Sequence, residues 1–335
     1  MLRATGEGTA RYAGRFAKLK EKGFYRQAQG LTVSSLGIGT YLGERSYVEA
    51  IEAALNGGIN FIDTSLNYRN QESERDIGEA LRRAGLRRDE LVVCTKAGYL
   101  VPNAIPLAVM SPADIVGRMH SMAPAFLMDQ LRRSLDNLRL ETVDVFYLHN
   151  PETQLQYVDR EEFLRRVRAA FAALEEAAAS GLIGEYGMAT WSGFRTRTAE
   201  EGLPLKRLIE VARQVGGEGH RFRWIQLPFN LAMVEALTML REDGEAVLEV
   251  AAREGMTVVA SASLLQSRLA GGLPEEVGEA LPGLENDAQR ALQFARSAPG
   301  ITVALAGMAD PEHVKNNLGV GLTAPADLGR WFPRR

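Results

Sequence analysis

Four ionisable residues stand where short apolar runs give way to polar loops. Residues 59–62 run into Asp63, 91–95 into Lys96 and 143–148 into His149, while Tyr68 lies five residues beyond Asp63. If each run is a buried strand, these side chains sit at, or one loop past, the carboxyl ends of parallel strands, where α/β barrels assemble their chemistry. Each alone has a plainer reading: an Asp that caps a turn, a Tyr that packs, a His that is merely hydrogen-bonded. A buried Asp–Lys pair is costly and contributes little stability, so the four taken together point to a functional cluster.

In order and spacing Asp63, Tyr68, Lys96 and His149 resemble the tetrad of the aldo-keto reductases. The phrases Leu36-Gly37-Ile38-Gly39-Thr40, Asp63-Thr64-Ser65 and Gly78-Glu79-Ala80-Leu81 look like that family too, and the likeness runs from about residue 36 to about 318. It implies an NAD(P)H-dependent oxidoreductase that reduces a small-molecule aldehyde or ketone to an alcohol, or runs the reverse. Such a reduction places a hydride on carbon and a proton on oxygen. No side chain supplies hydride, so the implied cofactor is NADP(H), or NAD(H). The resemblance makes Tyr68 the proton donor, Lys96 the ammonium that draws the phenol pKa down from ~10, and Asp63 the partner that keeps Lys96 charged. His149 would donate a hydrogen bond to the carbonyl oxygen. A nucleotide-binding regulatory barrel subunit with little turnover is the alternative. A phosphate-binding isomerase or aldolase is disfavoured, because no glycine-rich phosphate loop follows the seventh strand.

Further positions follow from the same resemblance. The glycine-rich stretch 37–43 does not match G-x-G-x-x-G and reads as the first strand's mouth, with Thr40 beside the nicotinamide and Tyr41 in the substrate pocket. At the fifth strand's end Thr190 keeps the one polar side chain where relatives carry Ser-Asn, and Gln226 matches their carboxamide-binding Gln. Ser261 replaces the usual stacking aromatic, which leaves Trp191 as a cover or pocket wall. The loop 262–268, with Leu264 and Arg268, aligns with the segment over the pyrophosphate. Gly307, Met308 and His313 stand where NADP-preferring members carry Lys/Ser and Arg, Asp310 would repel a 2′-phosphate, and Asn316-Asn317 takes the adenine-reading position.

The elements that must position these residues alternate regularly. Strands are expected at 35–40, 59–63, 91–95, 143–148, 183–189, 224–227, 257–261 and 302–306, each followed by a helical stripe. Short, β-branched strands apolar on both faces indicate a buried parallel sheet. The eightfold count, with chemistry at several strand ends, favours one (β/α)8 TIM barrel spanning 1–335. Residues 24–35 read as a hairpin turning at Gly30, and 1–23 as a loosely held extension or a short helix around 12–19. Ser46-x-x-Glu49 reads as a capping box. Residues 97–124, rich in Pro, Met and Ala, form a long insertion after the third strand, expected on the catalytic face as a wall of the substrate pocket. The tail after Leu318 reads as short and polar.

Composition excludes several classes. A net charge of −3 gives no reason to expect nucleic acid or an anionic membrane, and pairs such as Arg82-Arg83 and Arg87-Arg88 read as solvated faces. The single cysteine, Cys94, fits a reducing compartment, and the histidines are too scattered to suggest a metal. His220 reads as a solvated loop residue and His120 as one away from the pocket. With no apolar run near the ~20 residues of a membrane span, cytoplasm is the expected location.

Overall fold

The computed structural model describes residues 3–196, 202–241, 244–329 and 331–332. Two helices, α1 (Gly6–Gly14) and α2 (Ala17–Glu21), lead into an antiparallel hairpin of β1 (Tyr25–Ala28) and β2 (Leu31–Ser34). Its turn is Gln29-Gly30, both with positive φ (48° and 78°), the left-handed pair whose twist suits a two-residue hairpin. Parallel strands follow: β3 (Leu36–Gly39), β4 (Phe61–Asp63), β5 (Val92–Ala97), β6 (Val143–His149), β7 (Ile183–Ala189), β8 (Phe222–Pro228), β9 (Thr257–Ser261) and β10 (Val303–Gly307). They close in the order β10-β3-β4-β5-β6-β7-β8-β9. Helices α3 (Val48–Gly57), α4 (Glu72–Ala84), α5 (Pro124–Leu138), α6 (Arg160–Ala179) and α7 (Leu205–Gly216) cover successive crossovers. Between β8 and β9 lie α8 (Glu235–Thr238) and α9 (Val247–Arg253). Next come α10 (Glu275–Ala280) and α11 (Asp287–Ser297), and α12 (Pro311–Leu318) completes the ring. The fold is a (β/α)8 TIM barrel.

Period-two alternation decides what each strand shows the interior. Phe61, Cys94, Tyr147 and Trp224 belong to the packed inner cluster, with Ala28 and Val33 of the hairpin closing its lower end. Two residues further along the same strands, the same face presents Asp63, Lys96, His149 and Gln226 at the mouth. Intervening residues such as Ile62, Val93 and Leu148 join the outer core against the helices. Gly187 is needed for this filling: a Cβ there would lie 2.3 Å from the Trp224 carbonyl oxygen.

The N-terminal segment is not loosely held. Tyr12 is fully buried, and its hydroxyl donates to the Leu55 carbonyl at 2.5 Å, with the Ile59 carbonyl 3.0 Å away sharing that proton, where α3 ends. Arg11 binds Asp89 and Glu90, and Arg15 binds Glu90. The Ala4 amide donates to Asp144 at 2.7 Å, and Asp144 also accepts from the Val93 amide and from Arg88. Arg88 is therefore tied into the barrel's underside and is no solvated face. Only Met1 and Leu2 of this segment lie outside the described residues.

Three local expectations are also corrected. Ser46 forms no capping box with Glu49: its hydroxyl accepts from the Val48 amide at 3.3 Å and donates to Asp76, whose other oxygen takes the Tyr47 amide, so the organising acid comes from α4. His220 is buried, packed beneath Gly216 in the short connection from α7 to β8. The tail carries apolar anchors: Leu328 is buried, and the Trp331 and Phe332 rings lie 5.0 and 5.9 Å from that of Phe294. Arg330 and residues 333–335 lie outside the described residues.

Because the one Tyr12 hydroxyl proton serves the buried carbonyls of Leu55 and Ile59, Tyr12→Phe should lower the unfolding free energy by about 1–3 kcal/mol. A urea titration reads this as an earlier midpoint at unchanged slope; an unmoved midpoint would mean that α1 docks by packing alone.

Candidate active site

Adjacent strands deliver the site. Lys96 is fully buried, and its ammonium donates to Asp63 Oδ2 at 2.6 Å and to the Thr64 carbonyl at 2.7 Å. The other carboxylate oxygen, Asp63 Oδ1, accepts from Gln226 Nε2 at 2.8 Å. Lys96 Nζ lies 5.0 Å from the centre of the Tyr68 ring, which meets the His149 ring edge-on at 5.7 Å and the Tyr41 ring at 4.9 Å. Directly after Tyr68 the backbone passes through three left-handed residues without a glycine: Arg69, Asn70 and Gln71 (φ 47°, 52°, 76°). Such a run is strained, and the Arg69–Asp76 ion pair at 2.6 Å holds it where it turns Tyr68 inward.

The electrostatics follow from burial set against charge. Burial pushes the Asp63 carboxyl up, opposed by the Lys96 charge and by hydrogen bonds from Lys96 and Gln226. Burial also works against the Lys96 ammonium, but Asp63 and Tyr68 outweigh it and hold its pKa above the usual value. With both oxygens of Asp63 engaged by donors, the pair is a hydrogen-bonded ion pair. For Tyr68, burial raises the phenol pKa above 10, and the pull of Lys96 only partly offsets this. The expectation that Lys96 brings the phenol down is thus right for that one interaction and wrong for the sum: in this state Tyr68 is a firmly protonated phenol. Burial, then Lys96 and His120, depress the His149 pKa well below the usual range, leaving a neutral ring.

A cavity of about 570 Å³ opens above these groups. Of the residues singled out from the sequence, Thr40, Tyr41, Asp63, Tyr68, His149, Thr190, Trp191, Gln226, Ser261, Leu264 and Gly307 line it. Lys96 lies behind Asp63 and Tyr68, out of the cavity. Met308 does not reach it, because alternation past Gly307 sends its side chain into the outer core. Arg268, His313 and Asn316 are exposed away from it, and Asn316 is bound to Asn286 and Gln289 of the neighbouring turn. Asn317 is buried within α12. Asp310 caps α12 through the Glu312 amide at 2.9 Å and pairs with Arg45 at 3.4 Å, so its charge is not bare. Lys315 is paired with Glu312.

The 97–124 insertion contributes only Tyr99 to the lining, which corrects the expected wall of Met and Ala. Met110 and Met122 instead pack on the core. His120 is buried beneath the pocket, between the His149 carbonyl (2.8 Å from Nε2) and Gln154 Nε2 (2.9 Å from Nδ1). Asn67, Tyr99 and Asn150 also line the cavity and had not been singled out, although each stands within three residues of a tetrad member. That proximity was the available signal.

Glu152, three residues past His149, acts through the backbone instead of the lining. Its Oε1 accepts from three successive backbone amides, Trp191 (2.8 Å), Ser192 (3.0 Å) and Gly193 (3.3 Å). One buried carboxylate oxygen thereby fixes the loop that holds Trp191, 43% exposed, at the pocket rim. Thr190 Oγ1, just before this loop, is buried with no partner among the described residues, and the Gln226 side-chain oxygen, Oε1, also bonds to no described residue. Both are polar atoms at the β7–β8 mouth suited to a ligand amide. Among the described residues no group of three His, Cys, Asp or Glu could hold a metal ion. No helix of the described residues is long and apolar enough to cross a membrane.

A model described as the aldo/keto reductase family matches residues 33–279. Over 116 residues the chain is 35% identical to 2,5-diketo-D-gluconic acid reductase B of Corynebacterium sp., a match covering 34% of each chain. It is 34% identical over 131 residues to the "probable voltage-gated potassium channel subunit beta" of Oryza sativa subsp. japonica, covering 37% of this chain and 35% of that one. These matches span about a third of the length of either relative. Among solved structures, an aldo/keto reductase from Klebsiella pneumoniae in complex with NADP and acetate superposes with a TM-score of 0.65. The two are 21% identical over 94% of this chain and 96% of that one, a likeness of fold.

Removing the Glu152 acceptor leaves three amides unsatisfied. Glu152→Ala should release Trp191, seen as red-shifted emission and easier acrylamide quenching, and should cost about 1–3 kcal/mol of stability. Glu152→Gln keeps an acceptor oxygen and should retain most of both. Equal quenching in all three proteins would remove Glu152 as the anchor.

Proposed function

Because the chain belongs to the aldo/keto reductase family, we propose that it is an NADP(H)-dependent oxidoreductase, able also to take NAD(H), that interconverts a small-molecule aldehyde or ketone with its alcohol. The observation that carries this reading is the convergence of Tyr68, His149 and Asp63 on one cavity, with Lys96 buried behind them and paired with Asp63. The cofactor, when bound, supplies the hydride that a carbonyl carbon accepts. Thr190 and Gln226, with free polar atoms at the β7–β8 mouth, would hold its carboxamide. Ser261 and Leu264, and Gly307, where nothing lies within 4 Å of a Cβ position, would border its remaining length.

The chain's own part is to place and protonate the carbonyl. His149, neutral and at the cavity floor, orients the oxygen by a hydrogen bond. Tyr68 transfers its phenolic proton to that oxygen as negative charge develops there, and the phenolate left behind is stabilised by Lys96 at short range. A phenol held above its ordinary pKa stays loaded with its proton at neutral pH, which suits the reducing direction. Asp63 keeps Lys96 charged, and Gln226 keeps Asp63 in place. Tyr41, Tyr99 and Trp191 give the cavity aromatic walls, suited to a substrate with an apolar body beside its carbonyl.

The similarity to a potassium channel beta subunit sustains a second reading, a nucleotide-binding regulatory barrel. Both readings predict cofactor binding, so turnover separates them. A fluorescence titration with NADPH and NADH, followed by a panel of aldehydes and ketones, is the direct test. Binding without turnover of any panel member favours the regulatory subunit.

Tyr68→Phe removes only the acid and should lower kcat by about 100-fold or more while cofactor affinity stays near that of the wild type. Retention of more than about a tenth of kcat, a barrier change under ~1.4 kcal/mol, would exclude Tyr68 as the donor.

Lys96→Met removes the charge that pulls the Tyr68 pKa down. Alcohol oxidation requires the phenolate, so its rate should rise with pH through a limb that shifts to higher pH in the variant. A limb at the same pH, with the rate only scaled down, would make Lys96 a structural residue.

A further inference from the structure

The His149 ring has a single partner at Nδ1, and that partner has more claims on it than protons. Ser65 Oγ, fully buried, lies 3.1 Å from His149 Nδ1 and 3.1 Å from the Lys96 carbonyl oxygen, and in this structure it faces the Asn67 side-chain oxygen, Oδ1, at 2.6 Å. A hydroxyl has one proton to give and lone pairs to accept with. The Lys96 carbonyl can only accept, and it already takes the Leu66 amide at 3.2 Å. The Asn67 amide bonds to no other described residue, so a half-turn that exchanges its oxygen and nitrogen costs nothing elsewhere.

Two proton arrangements compete for these contacts, and each leaves the Ser65 hydroxyl with one neighbouring oxygen it does not donate to. In one, the Ser65 proton goes to a carbonyl oxygen, of Asn67 or Lys96, and His149 Nδ1–H donates to Oγ. A neutral ring then carries a bare Nε2. In the other, Asn67 turns its amide nitrogen toward Oγ, Ser65 donates to Nδ1, and the ring proton sits on Nε2. Only the second lets His149 donate to a carbonyl oxygen; a bare Nε2 would set lone pair against lone pair. An imidazole nitrogen is also the more open acceptor, since the competing Lys96 carbonyl already holds one donor.

We propose that Ser65 and Asn67 are positioning residues that fix the tautomer of His149: Asn67 donates to Ser65 Oγ, Ser65 donates to Nδ1, and Nε2 carries its proton toward the cavity. For its catalytic consequence this rests on the carbonyl-reductase reading above; the tautomer itself can be observed without turnover.

The test uses the full chain labelled with 15N-histidine, free and with saturating NADP+. A long-range 1H–15N correlation separates protonated from bare ring nitrogens, and the His149 signals are those lost in His149→Ala. In the wild type, Nδ1 should be bare and Nε2 protonated. Asn67→Asp, which at neutral pH only accepts, should capture the Ser65 proton and move the His149 proton to Nδ1. Carbonyl reduction should then fall in kcat by roughly 100-fold, the loss typical of one oxyanion donor, with cofactor affinity unchanged. Ser65→Ala, with no hydroxyl at all, should give signals averaged between the two tautomers. A wild type protonated at Nδ1 would overturn the proposal, as would an Asn67→Asp variant still protonated at Nε2 alone. A doubly protonated ring in that variant would also overturn it, since the new carboxylate would then act on the ring directly. If the ring shows the expected pattern but no carbonyl is ever turned over, the tautomer assignment stands and the carbonyl-reductase reading fails.

Discussion

The ion pair between Lys96 and Asp63 is the constraint on which the mouth of this barrel depends. Its 2.6 Å contact is buried, so neither charge can fall back on water. An unpaired ammonium there would deprotonate, and an unpaired carboxylate would protonate. Each survives because the other does, with the Thr64 carbonyl and the Gln226 amide taking up the remaining hydrogen-bonding capacity. Such a pair is a weak source of stability, and a hydrophobic pair of similar volume would hold the fold at least as well. What it provides is a fixed positive charge beside Tyr68, at a place where low polarisability makes that charge act strongly.

The surrounding shell is organised to keep that geometry while leaving the cavity open. Gly98 lets the chain after Lys96 pass close to His149: a Cβ there would lie 2.5 Å from the His149 carbonyl oxygen and 2.7 Å from His120 Nε2. His120, bonded at both nitrogens, ties the latter part of the insertion to the end of β6 and the turn after it, and supports the floor from below. Glu152 does the same for the next loop, gathering the amides that hold Trp191 at the rim. These buried polar groups lie one layer behind the cavity, and their work is positional. The opposite end of the barrel is closed independently, by the hairpin and by α1 anchored through Tyr12 and the Asp144 cluster. Stability at one end and chemistry at the other are thereby kept apart, as is usual for this architecture.

Much of this was legible from residue order. The apolar runs located the strands, and their abrupt ends at Asp63, Lys96 and His149 located the mouth, whereas strands apolar on both faces left the inward side to the structure. The hairpin turn was legible at Gly30, which takes a positive φ without steric cost; the left-handed Gln29 beside it was not. The adenosine end was less so. Gly307 borders the cavity and Met308 does not, a one-residue difference set by where β10's alternation stops. Arg45, which neutralises Asp310, comes from a loop far away in sequence.

The sequence by itself determined the eightfold βα alternation and the four ionisable residues at, or one loop past, strand ends, because these depend on neighbours a few positions away. Only the tertiary structure decided how those residues behave. Tyr68 has its pKa raised because burial by segments from many parts of the chain exceeds the pull of one nearby ammonium. The Ser46 capping box gives way to Asp76, Glu152 becomes an anchor for amides about 40 residues later, and residues 3–21 dock firmly under the barrel. In each case the outcome is a competition between a local interaction and a distant one. A sequence displays the local term alone, and folding supplies the desolvation and the long-range partners that decide the balance.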